Sequence, residues 1–201
     1  MEILTLAVVV ALGLSLLRAA DQRRRIALLG RHLAGYDIER LMEQLTDGYL
    51  RCLGEDDPER RAQIWGLLDS VEARLASQFE RFVAEFAAVD AGEARISRLP
   101  FALPFAARLL PAASFDARRA FAIHAQGLQE VMLNRAGRTP KAKAYTMTAE
   151  LFLMQHTCHW FCRSKAVASA RMLARHKTSH AQLVESVSAK TRRDYLALIG
   201  G

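Results

Sequence analysis

The chain has 201 residues, 51% of them apolar and 24% charged, with a formal net charge of +7. That apolar fraction supports a folded core and excludes wholesale disorder, and 11 Gly and 5 Pro against an excess of Leu, Ala, Arg and Glu favour helices over a strand-and-turn architecture. Three cysteines, Cys52, Cys158 and Cys162, exclude a disulfide-stapled scaffold and suit reduced thiols in a reducing compartment.

The first element is an apolar stretch, residues 3–17, "ILTLAVVVALGLSLL", 15 residues without a charge. If Arg18 snorkels to the interface, Ile3 to Ala20 gives 18 residues, short but workable for a bilayer span. A cleaved signal peptide is the main competitor. It would want a basic lead-in and small residues before the cut, whereas Glu2 precedes the stretch and Arg18 stands third from a cut after Ala20. A buried helix of a soluble fold is the third reading. The anchor reading assigns residues 1–20 to a single-pass transmembrane helix and 21–201 to one α-helical domain. Arg18, Arg23, Arg24 and Arg25 all follow the apolar stretch, so the positive-inside rule places the N-terminus outside and the domain in the cytoplasm. Arg outnumbers Lys 23 to 5, a composition that suits a GC-rich bacterial genome and hence a bacterial inner membrane. The same arginines, with Arg98 and Arg108, are candidates for contact with anionic headgroups.

Nothing breaks the helix between the anchor and about Leu33, and Gly35 ends it. A second helix over 38–53 puts Ile38, Leu41, Leu45, Tyr49 and Cys52 on one face, with Cys52 as a buried small hydrophobe. "GEDDPER" then starts a third helix, with Asp57 as cap and Pro58 at its first position. Its apolar stripe, Ile64, Leu68, Val71, Leu75, Phe79, Phe82 and Phe86, predicts a bundle helix or a coiled-coil partner surface.

Residues 97–113 stand apart. "LPFALPFAARLLPAA" repeats LPFA, and Pro100, Pro104 and Pro111 forbid a regular helix, yet the stretch is too apolar for a solvated linker. It reads either as an irregular hairpin packed on the core or as a segment dipping into the bilayer interface beside the anchor. Ser114 and Asp116 open the next helix, which runs to about Asn134. Thr139 and Pro140 open a long helical stretch from Lys141 to about Lys177, and Ser179 with Gln182 forms a capping box for the last helix. The fold expected is all-α, the anchor followed by a bundle of about five or six helices.

"HTCHWFC", residues 156–162, concentrates histidine and cysteine. At about 100° per residue, Cys158 and Cys162 lie about 40° apart, and one helix offers at most two ligands to a metal. His124 is the first candidate, and Cys52 the next, to complete a metal or haem site with Cys158, His159 and Cys162. A reactive thiol, its pKa lowered by Arg163 and Lys165, is a second reading. The third is a central bundle helix, with Trp160 and Phe161 filling volume and buried Glu150 partnered among the histidines and arginines.

Charge is divided along the chain. Residues 36–93 carry 14 acidic and 6 basic groups, residues 138–201 carry 3 acidic and 11 basic. The halves either face each other within the fold or present a basic partner face of Arg171, Arg175, Lys177, Lys190, Arg192 and Arg193. No nucleotide-binding or hydrolase motif is present and no cofactor is implied. The function expected is an interaction or scaffold protein rather than an enzyme, with metal or haem binding as one alternative and nucleic-acid binding as another. The partners expected are the lipid bilayer through residues 3–20, anionic headgroups and an unidentified protein, with a second copy of the chain open. Nucleic acid ranks lowest because aromatic residues do not interleave the basic ones.

Overall fold

The structure, a computed structural model, describes residues 2–200. It is all-α apart from one small hairpin. The helices are α1 (Glu2–Leu33), α2 (Ile38–Leu53), α3 (Pro58–Phe86), α4 (Ala106–Leu109), α5 (Ala117–Met132), α6 (Pro140–Cys162), α7 (Lys165–His176), α8 (His180–Ser186) and α9 (Ala189–Gly200). Strands β1 (Arg95–Ser97) and β2 (Ser114–Asp116) pair antiparallel, with Ile96 opposite Phe115.

α1 is one unbroken helix of 32 residues, so it is about 48 Å long at 1.5 Å per residue. It is long and apolar enough to cross a membrane, and its most apolar 18-residue window is 0% buried. Only its far end joins the domain, where Leu28 and Leu29 are buried.

α2 and α3 lie side by side. Gly48 makes this approach possible, because a Cβ there would collide with the Leu68 side chain. The α3 stripe faces inward: Leu68, Val71, Leu75, Phe79, Phe82 and Phe86 are all buried. The stripe is therefore core, not a free coiled-coil seam. Its phenylalanines join Phe121 of α5 and Phe161 of α6, with ring centroids 5.1 Å apart for Phe86–Phe121 and 5.9 Å for Phe86–Phe161. Cys52 is fully buried, as its place on the α2 stripe predicts.

α6 is the central helix. It packs on α1, α2, α5, α7, α8 and β1, and Leu151, Leu153, Trp160 and Phe161 are buried on its different sides. A smaller core of Ala149, Leu153, Met172, Leu183, Val184, Val187 and Tyr195 closes the bundle on its α7–α9 side.

Two expected helices are each two. The stretch from Lys141 breaks at Arg163, whose φ of −132° and ψ of −94° leave the helix, and Ser164 caps α7 by accepting from the Val167 N–H. The last helix breaks at Val187, which is extended. That break frees the Ser188 N–H to donate to Glu150 Oε1 at 3.0 Å. The partner of buried Glu150 is thus a backbone amide on α9's lead-in, not a histidine or arginine. A buried carboxyl without a donor is costly, so this bond stabilises the turn at Val187.

Candidate functional site: the junction between the apolar helix and the domain

The transition in α1 falls at Asp21–Arg25. Asp21 Oδ2 accepts from Arg25 Nε at 3.3 Å and from the Phe105 amide at 3.4 Å. Arg25 Nη1 donates to the carbonyls of Arg95 at 2.8 Å and Phe161 at 3.4 Å, and its guanidinium lies 5.5 Å from the Phe161 ring. One planar cation therefore ties α1 to β1 and to the negative end of the α6 dipole. Arg163 donates to Gln22 Oε1 at 2.5 Å, and Arg24 pairs with Glu93. A joint with this many directional bonds transmits the orientation of the apolar half of α1 to the whole bundle.

The hairpin meets the same joint. Its base is fixed: Ile96 and Phe115 are buried, and Trp160 Nε1 donates to the Ser97 carbonyl at 2.8 Å. Arg95 Nε donates to Ser114 Oγ at 2.7 Å and Arg98 Nη2 to the Leu198 carbonyl at 3.0 Å. Its far part, 99–110, curls beside Arg18 and Asp21, and a cleft of about 20 Å³ between them is lined by Arg18, Asp21, Phe101, Leu103, Trp160 and Arg163. Of the arginines expected at headgroups, Arg18, Arg23, Arg24 and Arg108 are exposed, whereas Arg25 and Arg98 are turned onto protein carbonyls.

The four metal candidates do not converge. His124 is fully buried and its Nε2 lies 2.8 Å from Thr157 Oγ1. Cys158 and Cys162 pack against the main core, and His159 Nδ1 accepts from Arg171 at 3.2 Å on another side of α6. Among the described residues no group of three or more His, Cys, Asp or Glu side chains is placed to hold a metal ion. The thiols are not activated either. Burial pushes Cys158 well above the usual thiol range and Cys162 up to about 11, more than offsetting the pull of Arg25, Arg163 and Arg171 on Cys162.

Instead, α6 carries a buried hydrogen-bonded chain that periodicity does not reveal. Thr157 Oγ1 lies 3.5 Å from the Tyr195 hydroxyl, which is 3.4 Å from His180 Nε2. The His180 ring sits 4.3 Å from that of His156, whose Nε2 meets Ser169 Oγ at 3.0 Å. Burial holds His124 and His156 down to about 3 and His180 to about 4, so all three are neutral near pH 7. Burial pushes Glu150 up to about 7, against the hydrogen bonds of Ser188 and Thr191.

Comparison with protein-family models, curated proteins and solved structures finds no match to the chain. The functional reading therefore rests on the molecule's own chemistry.

The basic partner face is partly neutralised. Arg175 pairs with Glu43, Arg192 with Glu185, and Lys190 and Arg193 both with Asp194. Lys177 Nζ donates to the Ala174 carbonyl. Acidic and basic halves meet directly at Lys143, which bridges Asp69 at 2.9 Å and Glu72 at 2.6 Å, while Tyr49 donates to Glu72 Oε1 at 2.5 Å.

The junction residues Asp21, Gln22, Glu93 and Phe105 are not among the residues the sequence singles out, and Arg163 is singled out there only beside a thiol. Asp21 and Arg25 at i and i+4 were a readable local pair; their partners 70 and more residues away, Arg95, Phe105 and Phe161, left no local signal.

Proposed function

We propose that the protein is a single-pass membrane protein whose helical domain serves as an interaction or scaffold module at the cytoplasmic face of a bacterial inner membrane. One observation carries this reading: α1 continues without a break from an apolar half that the domain leaves uncovered to a polar half bonded into it. Arg18, which stands third from the cut a signal peptide would use, lines a cleft with Asp21, Leu103 and Trp160 of the domain, and this favours retention of the helix. The four arginines after the apolar stretch favour the cytoplasmic side for the domain.

For a protein partner, two exposed regions are the natural places. The outer face of α3 presents Glu59, Asp69 and Glu80 to solvent. At the end of the bundle far from the junction, α2 and α6 border an apolar groove of about 420 Å³ lined by Leu50, Leu53, Tyr145 and Phe152. Such a groove suits an apolar anchor of a partner.

The test is a C-terminal reporter pair with crosslinking in native membranes. A reporter active only in the cytoplasm should signal, and crosslinks placed on α3 or at Leu50 should capture a protein. Signal from a reporter active only outside the cytoplasm would overturn the orientation. Failure of both positions to crosslink any protein would remove the scaffold reading.

A further inference from the structure

The hairpin tip is the part of the surface that the fold leaves least explained. Four large apolar side chains lie open within ten residues: Phe101 is 58% exposed, Leu103 45%, Leu109 72% and Leu110 47%. Scattered exposed leucines need no explanation, but a cluster on one loop marks a contact surface. We infer that residues 99–110 sit in the headgroup–acyl boundary of the leaflet from which α1 emerges, with Arg18, Arg108 and Arg163 on the lipid phosphates. This rests on the reading that residues 3–20 lie in the bilayer.

Position selects lipid as the occupant. The Phe105 amide bonds to Asp21, the first residue after the apolar half of α1, so the tip stands level with the end of the span. The Arg18 and Asp21 side chains line the same cleft as Phe101 and Leu103. A surface at that height beside a membrane helix faces the bilayer unless something displaces it.

Chemistry agrees with position. No Asp or Glu occurs between Glu93 and Asp116, while Arg95, Arg98 and Arg108 do. The nearest carboxylates, Asp21 and Glu93, are already paired with Arg25 and Arg24, so anionic headgroups would meet Arg18 and Arg108 with little opposing charge. Arg18, Arg108 and Arg163 are exposed, and Arg163 uses one nitrogen on Gln22.

The 105–110 part of the tip has its backbone donors largely paired, which suits a dry setting where an unpaired N–H is costly. Pro100, Pro104 and Pro111 have no N–H to satisfy. The amides of Ala106, Arg108, Leu109 and Leu110 bond to carbonyls within the tip, and that of Phe105 bonds to Asp21. Phe105 adopts a left-handed conformation, φ 55° and ψ 16°, which a non-glycine residue holds at a cost and which aims its N–H at Asp21. The base is pinned by Trp160 and Arg98, and Ala106 and Ala107 are buried against the domain, which leaves Phe101, Leu103, Leu109 and Leu110 on the outer side. The domain is thereby held to the bilayer at two points and lies in one orientation.

The test is depth measurement by spin label in the full chain, reconstituted in nanodiscs of phosphatidylcholine and phosphatidylglycerol. Labels go on cysteines introduced as Val9→Cys, Leu103→Cys, Leu109→Cys and, as a distal control, Leu50→Cys, with the native thiols read from unsubstituted protein. Relaxation by oxygen reports lipid, and relaxation by a water-soluble nickel chelate reports solvent. The expected result is oxygen dominant at 9, 103 and 109, and nickel dominant at 50. Nickel dominant at 103 and 109 with oxygen dominant at 9 overturns this inference alone. Nickel dominant at 9 overturns the membrane reading and this inference with it. Shielding of 103 and 109 from both reagents means that protein, such as a second copy, covers the tip, and also overturns it.

Discussion

Two helices of this protein are apolar beyond what a surface helix needs, α1 and α6, and they are used in opposite ways. In α1 the apolar half is left uncovered, while in α6 nearly every side is buried. The polar content separates them. Residues 3–17 include no charged, amide or histidine side chain, only Thr5 and Ser15 among polar types. α6 carries Glu150, His156 and Thr157, and each has a protein partner on another element or on its own backbone: Ser188, Ser169 and the Leu153 carbonyl. A helix whose buried polar groups have partners on other elements belongs inside protein, and one whose polar side chains are two hydroxyls can be left to lipid.

The same substitution should therefore act differently in the two helices. Leu153→Lys puts an unpaired charge in a fully buried site and should abolish cooperative folding, seen as loss of the thermal transition. Val10→Lys should leave that transition in place and weaken membrane partition by about 3 kcal/mol, seen in fractionation. If Val10→Lys also unfolds the domain, the division between a free and a cemented half of α1 is wrong.

The polar interior of α6 can be tested without adding charge. A Cβ at Gly127 would collide with Thr191 Oγ1 and the Glu150 carboxyl, so Gly127→Ala should cost about 1–3 kcal/mol by overpacking. Denaturant titration checks this. A neutral result would mean the Glu150 site is loose.

Titration sharpens the contrast further. His124, His156 and His180 have folded pKa values of about 3, 3 and 4, below the 6.5 of the unfolded chain. Below pH 6.5 the unfolded state gains protons that the folded state refuses, so stability falls on acidification. Glu150, raised to about 7 from 4.5, works the other way: its contribution is complete below 4.5 and is lost as pH rises through 7. Three histidines outweigh one carboxyl between 4.5 and 6.5. Thermal unfolding should drop across that window, by up to about 1.4 kcal/mol per pH unit for each net proton. Glu150→Gln should steepen the drop. The smallest effect belongs to the surface: Arg192→Ala breaks an exposed pair with Glu185 and should cost under about 1 kcal/mol.

Most of the helical plan was legible because period and caps are local. The α3 stripe, the Asp57–Pro58 start, the Thr139–Pro140 start and the Ser179–Gln182 capping box all stand where the sequence put them. The breaks at Arg163 and Val187 were not legible, because the second is fixed by Glu150, 38 residues from its partner Ser188. The irregular hairpin was legible as one reading of 97–113, but its strand pairing was not, because each strand is three residues long and the pairing spans the proline-rich tip. The junction was legible only as a run of arginines. That Arg25 faces inward while Arg23 and Arg24 are exposed depends on carbonyls contributed by β1 and α6.

The most direct measurement is alkaline extraction of membranes from cells making the full chain, followed by the intact mass of the retained protein. The account predicts that the chain stays with the lipid and that its mass includes residues 3–20. A chain released to the supernatant, or one whose mass shows that it begins near Asp21, would contradict it.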